Sequence, residues 1–445
     1  MATVLTSVTA AQRLDSRGKP TVQVDVETSD GKFRAIVPSG ASKGDYEAVE
    51  RRDGGKAFGG NGVLEAVQNV KEVIGPALIA KGFDLKAGLK EIDSFMIDLD
   101  GSSDKSNLGA NAILGVSLAC ARACAAANGI PLYEFLARET QSRRQDFVLP
   151  VPFLNVLNGG VHSGNPMAFQ EFMIAPVGAA SFAQGIQWAA EVYQELKAII
   201  TKTFGKAAIG IGDEGGFAPP ISKPHEALDL ITEAIKAAGY EGLFKIGIDP
   251  ASSEFFHDGQ YDLGFKSSEP QKLSRAQLTD LYQGLVGKYP IALLEDPFAQ
   301  DDWDSWSAFN QICKVSNVEL VGDDLLATNI RRIEKASQAD ACNSLLLKVN
   351  QIGTVSEAIA AAEKAFKLGW SVFVSHRSGE TTDDFIADLT VAIGCGHLKS
   401  GAPCRGERVA KYNRLMDIEE ELAAKKIASS YAGEAFRYAH ANAGS

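Results

Sequence analysis

The chain has 445 residues, 45% of them hydrophobic and 22% charged, with a formal net charge of −12. That is an ordinary soluble globular composition, long enough for one large domain with a smaller one beside it. An acidic balance without a long basic run excludes nucleic acid and anionic membrane as default partners, so an anionic ligand has to be held by a few local cations.

The first residues, MATVLTSVTAAQRLDSRG, lack a basic stretch followed by an apolar one, so no secretory signal is expected. No apolar run is read as reaching the roughly 18 residues of a membrane span. Six cysteines (Cys120, Cys124, Cys313, Cys342, Cys395 and Cys404) are scattered without a CxxC pair. Cys120 and Cys124 share a helix face and read as small buried residues, since zinc wants four clustered ligands. A cytoplasmic location is expected.

Along the chain, TVQVDVET (21–28) alternates Val22, Val24 and Val26 with Gln23, Asp25 and Glu27. Ser-Asp-Gly then turns into KFRAIVP (32–38), which predicts an antiparallel hairpin. Helices are predicted near 62–80, 84–95 and 107–127, the last stopped by Asn128-Gly129 with Pro131 beyond. Polar ETQSRRQD (139–146) then precedes Pro150 and Pro152. The chain is divided there into an α+β N-terminal capping domain with a lid loop (1–142) and a β/α barrel (143–445).

Past that point short apolar runs recur, each ending in a polar residue and each followed by a helical segment. They are 244–249, 291–295, 318–324, 345–348, 371–376 and 397–401. In the helix predicted at 354–369, Thr354 and Glu357 form a capping box, Ile359, Ala362 and Phe366 share a face, and Gly369 ends it. The repeat predicts an α/β fold: a C-terminal TIM-like barrel preceded by a smaller α+β domain. In such barrels the chemistry sits at the C-terminal ends of the strands.

Asp249, Glu295 and Asp323 end three of these runs and Lys348 a fourth. Three carboxylates gathered at one mouth repel unless a cation joins them, and hard oxygen donors without histidine or cysteine suit Mg²⁺ better than zinc. Lys348, in the apolar run SLLLK, is placed where burial favours the free amine. Glu214 lies between glycines in GDEGG, Glu171 follows Gln170, and SHRSGE offers the Arg377 fork and the Ser378 hydroxyl to a phosphate.

SGAS (39–42), NGGVH (158–162), QEFMIAP (170–176), GDEGGFAP (212–219), SSEFF (252–256), EDPFAQDDW (295–303), LLLKVNQIGT (345–354), SHRSGET (375–381) and LKSGAP (398–403) occur in order. The sequence thereby resembles the enolase family over nearly its whole length. The resemblance implies dehydration of 2-phosphoglycerate to phosphoenolpyruvate in glycolysis and gluconeogenesis, with two Mg²⁺ per site, the second arriving with substrate. It implies Asp249, Glu295 and Asp323 as ligands of the first ion and Ser42 of the second. Lys348 becomes the base, Glu214 the acid and Glu171 its neighbour. Substrate contacts implied are His162, Gln170, Glu171, Glu295, Asp323, Ser375, His376, Arg377, Ser378 and Lys399.

The resemblance also implies a homodimer and a barrel that opens ββαα. As base, Lys348 has to be neutral; as acid, Glu214 is expected to retain its proton beside Glu171. The sequence departs from the family pattern at Lys43, Lys19, Ala11 and Asp417, the last two in regions the family uses in its dimer. Two other readings stay open: a different dehydratase of the same superfamily, and a non-catalytic protein that kept the fold.

Overall fold

The computed structural model describes residues 2–40, 46–141 and 146–442. Ser42 and Lys43, and the division drawn at 142/143, lie outside the described residues.

The N-terminal part opens on a three-stranded antiparallel sheet, Ser7–Leu14, Pro20–Thr28 and Gly31–Ile36, with the second strand central. The first of these strands was not predicted, because SVTAAQRL alternates too weakly to read as one. Val22, Val24 and Val26 are fully buried as expected, but Gln23 and Asp25 are buried as well. Arg34 covers that face, with Nε 2.8 Å from Asp25 Oδ1.

The helix predicted at 62–80 runs as Leu64–Asn69, a π-helical turn Val70–Ile74, and Gly75–Lys81. Gly75 N–H reaches back five residues to Val70 O, just where Pro76 interrupts the ladder by lacking an N–H. The helix predicted at 84–95 begins later, as Lys90–Asp100. Asp84 instead makes a turn, its Oδ1 accepting Thr3 N and Lys86 N.

Helix Ala110–Ala127 packs on the sheet so closely that a Cβ on Gly115 would lie 2.6 Å from Val24 Cγ2. Its 18 residues have a mean hydropathy of 1.5, which corrects the expectation that no apolar run reaches the length of a membrane span. The fold buries 83% of that stretch, which accounts for its apolar character as a core helix.

The remaining chain closes an eight-stranded barrel. Six strands match the predicted runs: Lys245–Asp249, Ile291–Glu295, Glu319–Gly322, Ser344–Leu347, Ser371–Ser375 and His397–Lys399. The other two, Val151–Asn158 and Glu171–Ala175, come first, and helices Phe182–Phe204 and Pro224–Ala237 follow both. Glu171–Ala175 runs antiparallel to both its neighbours, so the barrel does open ββαα. The ring closes where His397–Lys399 pairs with Val151–Asn158, Lys399 opposite Phe153. Phe153, Met173, Leu293, Val321, Leu346 and Phe373 fill the interior.

Helix Val355–Lys367 begins at Thr354, whose Oγ1 accepts Glu357 N at 3.2 Å. The predicted capping box does not close. The Glu357 carboxylate instead takes the Thr354 hydroxyl (2.6 Å) and the ammonium of Lys105 from the N-terminal part (2.9 Å). That part also docks on the barrel mouth through paired backbone bonds between Ser39 and Gly379 (2.8 and 2.9 Å) and through Arg122 on Asp383 (2.8 Å).

Candidate active site

Parallel strands of one barrel end at one mouth, and the predicted side chains gather there for that reason. Asp249, Glu295, Ser375 and Lys399 are the last residues of their strands, while Asp323 and Lys348 follow theirs directly. Glu171 is the first residue of its strand, yet it reaches the same mouth because that strand runs the other way and pairs Glu171 with Asp249. Glu214 sits in a tight turn between Ile211 and Phe217. Gly215 takes φ +88°, and a Cβ on Gly216 would lie 2.4 Å from Asn158 Oδ1, so this turn requires glycine at both places.

One cavity is lined by twelve of the predicted residues: His162, Gln170, Glu171, Glu214, Asp249, Asp323, Lys348, Ser375, His376, Arg377, Ser378 and Lys399. Glu295 lies behind this lining and reaches it through Lys399, whose Nζ stands 2.8 Å from Glu295 Oε1, 3.0 Å from Glu171 Oε2 and 3.7 Å from Asp249 Oδ2. Lys348 Nζ is ion-paired with Asp323 Oδ2. Glu214 accepts Asn155 Nδ2 at 3.0 Å and lies 3.3 Å from His376 Nε2 and 3.7 Å from His162 Nδ1.

Charge sets the protonation of these groups. Burial disfavours the Lys399 ammonium, but Glu171, Glu295 and Asp249 override it and hold its pKa well above the ordinary value. Burial likewise opposes the charge on Lys348, and Asp323 overcomes it, so Lys348 rises where a neutral amine was expected. Burial works against ionised Glu214, yet His376 and His162 hold it well below the carboxylate range. Arg408 acts in the same direction, opposite to the proton-retaining carboxyl expected for Glu214.

Several residues of the site were not singled out in advance. Glu47 binds Arg377, and Asn350 Oδ1 accepts its Nη1 at 2.9 Å. Asp296 and Asp324 follow Glu295 and Asp323 in sequence, so the doubled acids of EDP and GDD were the available signal. Oxygens of Asp296, Asp323 and Asp324 lie within 4.8 Å of one another, as do ligand atoms of His162, Glu171 and Glu214.

The carboxylates suit a hard divalent cation. Burial and the charge of Glu295 raise Asp249 well above its ordinary value. Burial with Glu171 and Asp323 pushes Glu295 up to about 7 despite Lys399, and burial with Asp323 pushes Asp324 up to about 7. Glu295 Oε2 is buried with Lys399 Nζ 2.7 Å away but has no aligned hydrogen bond. Crowded, underserved carboxylate oxygens without a sulfur donor match Mg²⁺ chemistry.

Two family models match the chain. One, described as the enolase N-terminal domain, covers residues 5–136, and the other, the enolase C-terminal TIM barrel domain, covers residues 146–440.

Proposed function

The chain belongs to the enolase family, and from that premise we propose that this lyase reversibly dehydrates 2-phosphoglycerate to phosphoenolpyruvate, a step of glycolysis and gluconeogenesis. The observation that carries this reading is that Lys348, Glu214, Lys399 and Arg377 all line the one cavity walled by Asp249 and Asp323.

Lys348 takes the proton from C2. Its ammonium is held by Asp323; once that carboxylate's charge is engaged elsewhere, burial favours the free amine. Negative charge then grows on the substrate carboxylate, and the Lys399 ammonium stands ready to oppose it. Glu214, once it carries a proton, hands it to the hydroxyl leaving C3, which departs as water. Arg377 and Ser378 hold the phosphate, with His162, Gln170, Ser375 and His376 as further contacts. Glu171 keeps Lys399 in place at 3.0 Å.

Asp249, Glu295 and Asp323 would hold the first Mg²⁺, and Ser42 the second, which arrives with substrate. Bound Mg²⁺ supplies positive charge to the substrate carboxylate, as is general for enolase-superfamily enzymes with a Lys or His base. The proposal extends to a cytoplasmic homodimer divided at 142/143. Its test is ultraviolet absorbance of phosphoenolpyruvate formed from 2-phosphoglycerate. Activity should vanish with EDTA and return with Mg²⁺; no turnover in Mg²⁺ would overturn the assignment.

A further inference from the structure

Arg408, on helix Gly406–Lys425, is fully buried beneath the cavity and is not among its lining residues. Its two terminal nitrogens carry four N–H groups, and each meets an acceptor. Nη1 lies 2.6 Å from both His376 Nδ1 and Arg377 O, and Nη2 lies 2.7 Å from Ser378 O and 2.9 Å from Asp213 O. One guanidinium thus ties the segment bearing His376, Arg377 and Ser378 to the turn bearing Glu214.

The contact with His376 has a chemical consequence. A guanidinium has donors only and keeps its proton at any ordinary pH, so Nδ1 must be the acceptor. In the neutral imidazole the ring proton then resides on Nε2. That nitrogen is 3.3 Å from Glu214 Oε2 but makes no aligned hydrogen bond, although His376 is only 2% exposed and faces the cavity. A buried N–H beside a cavity, with only a poorly aligned contact to Glu214, is available to a ligand.

We propose that Arg408 is a positioning residue that fixes His376 in the tautomer presenting Nε2–H to the cavity, so that this side chain meets substrate as a proton donor. This rests on the dehydratase reading above, because it concerns the same cavity. Arg408 also opposes a second proton on the ring. Burial is the largest influence against the imidazolium and Arg408 adds to it, while Glu214 and Glu171 favour it.

The test is ¹⁵N NMR of the full-length protein labelled in histidine, without substrate, with His376 assigned by its loss in His376→Gln. Nδ1 should resonate as unprotonated and Nε2 as protonated, unchanged through pH 6.5, near which a free imidazole titrates. A proton on Nδ1, or an imidazolium at neutral pH, would overturn the proposal, and the spectrum is read on the wild-type protein, the variant serving only for assignment. In Arg408→Met the ring should show both tautomers and titrate at higher pH. Its kcat should fall about 10²-fold, the lower end of what general acid–base groups contribute. Arg408→Lys should restore the tautomer and part of kcat. A folded Arg408→Met that keeps the wild-type spectrum would also refute it. Absence of turnover in the wild type would refute the dehydratase reading and leave the tautomer result standing.

Discussion

Glu47 lays both carboxylate oxygens on the guanidinium of Arg377, 3.1 Å to Nη1 and 3.2 Å to Nη2, and so joins the N-terminal part to the barrel mouth. Both side chains are less than one-tenth exposed. A substrate phosphate has to take this fork from a carboxylate already seated on it. A charge-assisted bond contributes about 1.5–3 kcal/mol, so Glu47→Gln should lower KM for 2-phosphoglycerate by about tenfold or more. Initial-rate kinetics decide this, and an unchanged KM would mean that the anion does not displace Glu47.

Asp249→Ala, Glu295→Ala and Asp323→Ala should each weaken Mg²⁺ binding, measured by calorimetry, because a hard ion loses one of few protein oxygens. The loss should exceed about tenfold, the least that even outer-shell partners usually cost. Wild-type affinity in all three would remove them as ligands.

The two halves of the reaction should separate. Lys348→Ala should stop exchange of the C2 hydrogen with deuterium from solvent, followed by NMR of 2-phosphoglycerate. Glu214→Gln should retain exchange while dehydration falls by about 10²-fold or more, since it spares the base and removes the acid. Exchange at the wild-type rate in Lys348→Ala would assign the base elsewhere.

Asp93 gives a pH-dependent contribution to stability. It is buried on helix Lys90–Asp100, accepts Ser356 N at 2.9 Å, and is pushed up by burial to about 6. The folded state therefore binds this proton more tightly than the unfolded chain. The stabilisation is complete below about pH 4 and is lost as pH rises through 6, an order-of-magnitude change of about 3 kcal/mol. Asp93→Asn keeps an acceptor for Ser356 and removes the charge. Its melting temperature relative to wild type should rise between pH 4 and pH 7, and a constant difference would show that Asp93 does not titrate there.

The barrel was legible because each parallel strand carries its own signal, an apolar run with a polar tip, and Asp249, Glu295 and Lys348 lie on such tips. Strand Glu171–Ala175 gives no sign of its reversed direction, since buried strands read alike either way. The site's residue types were legible, but their protonation was not. Lys348 and Glu214 are set by Asp323, His376 and His162, which lie far from them in sequence or on other elements. Arg408 and Glu47 carried no signal because each looks like a surface charge until the fold buries it.

Lys399 stands on the strand that completes the ring, and that fact orders events in time. During synthesis from the N-terminus, Glu171, Asp249 and Glu295 leave the ribosome long before Lys399 does. The ammonium that contacts all three is in place only once His397–Lys399 has found Val151–Asn158, a pairing of high sequence separation. Topological completion and charge neutralisation of the cavity are one event. A fragment ending before residue 397 carries these carboxylates without the ammonium that joins them.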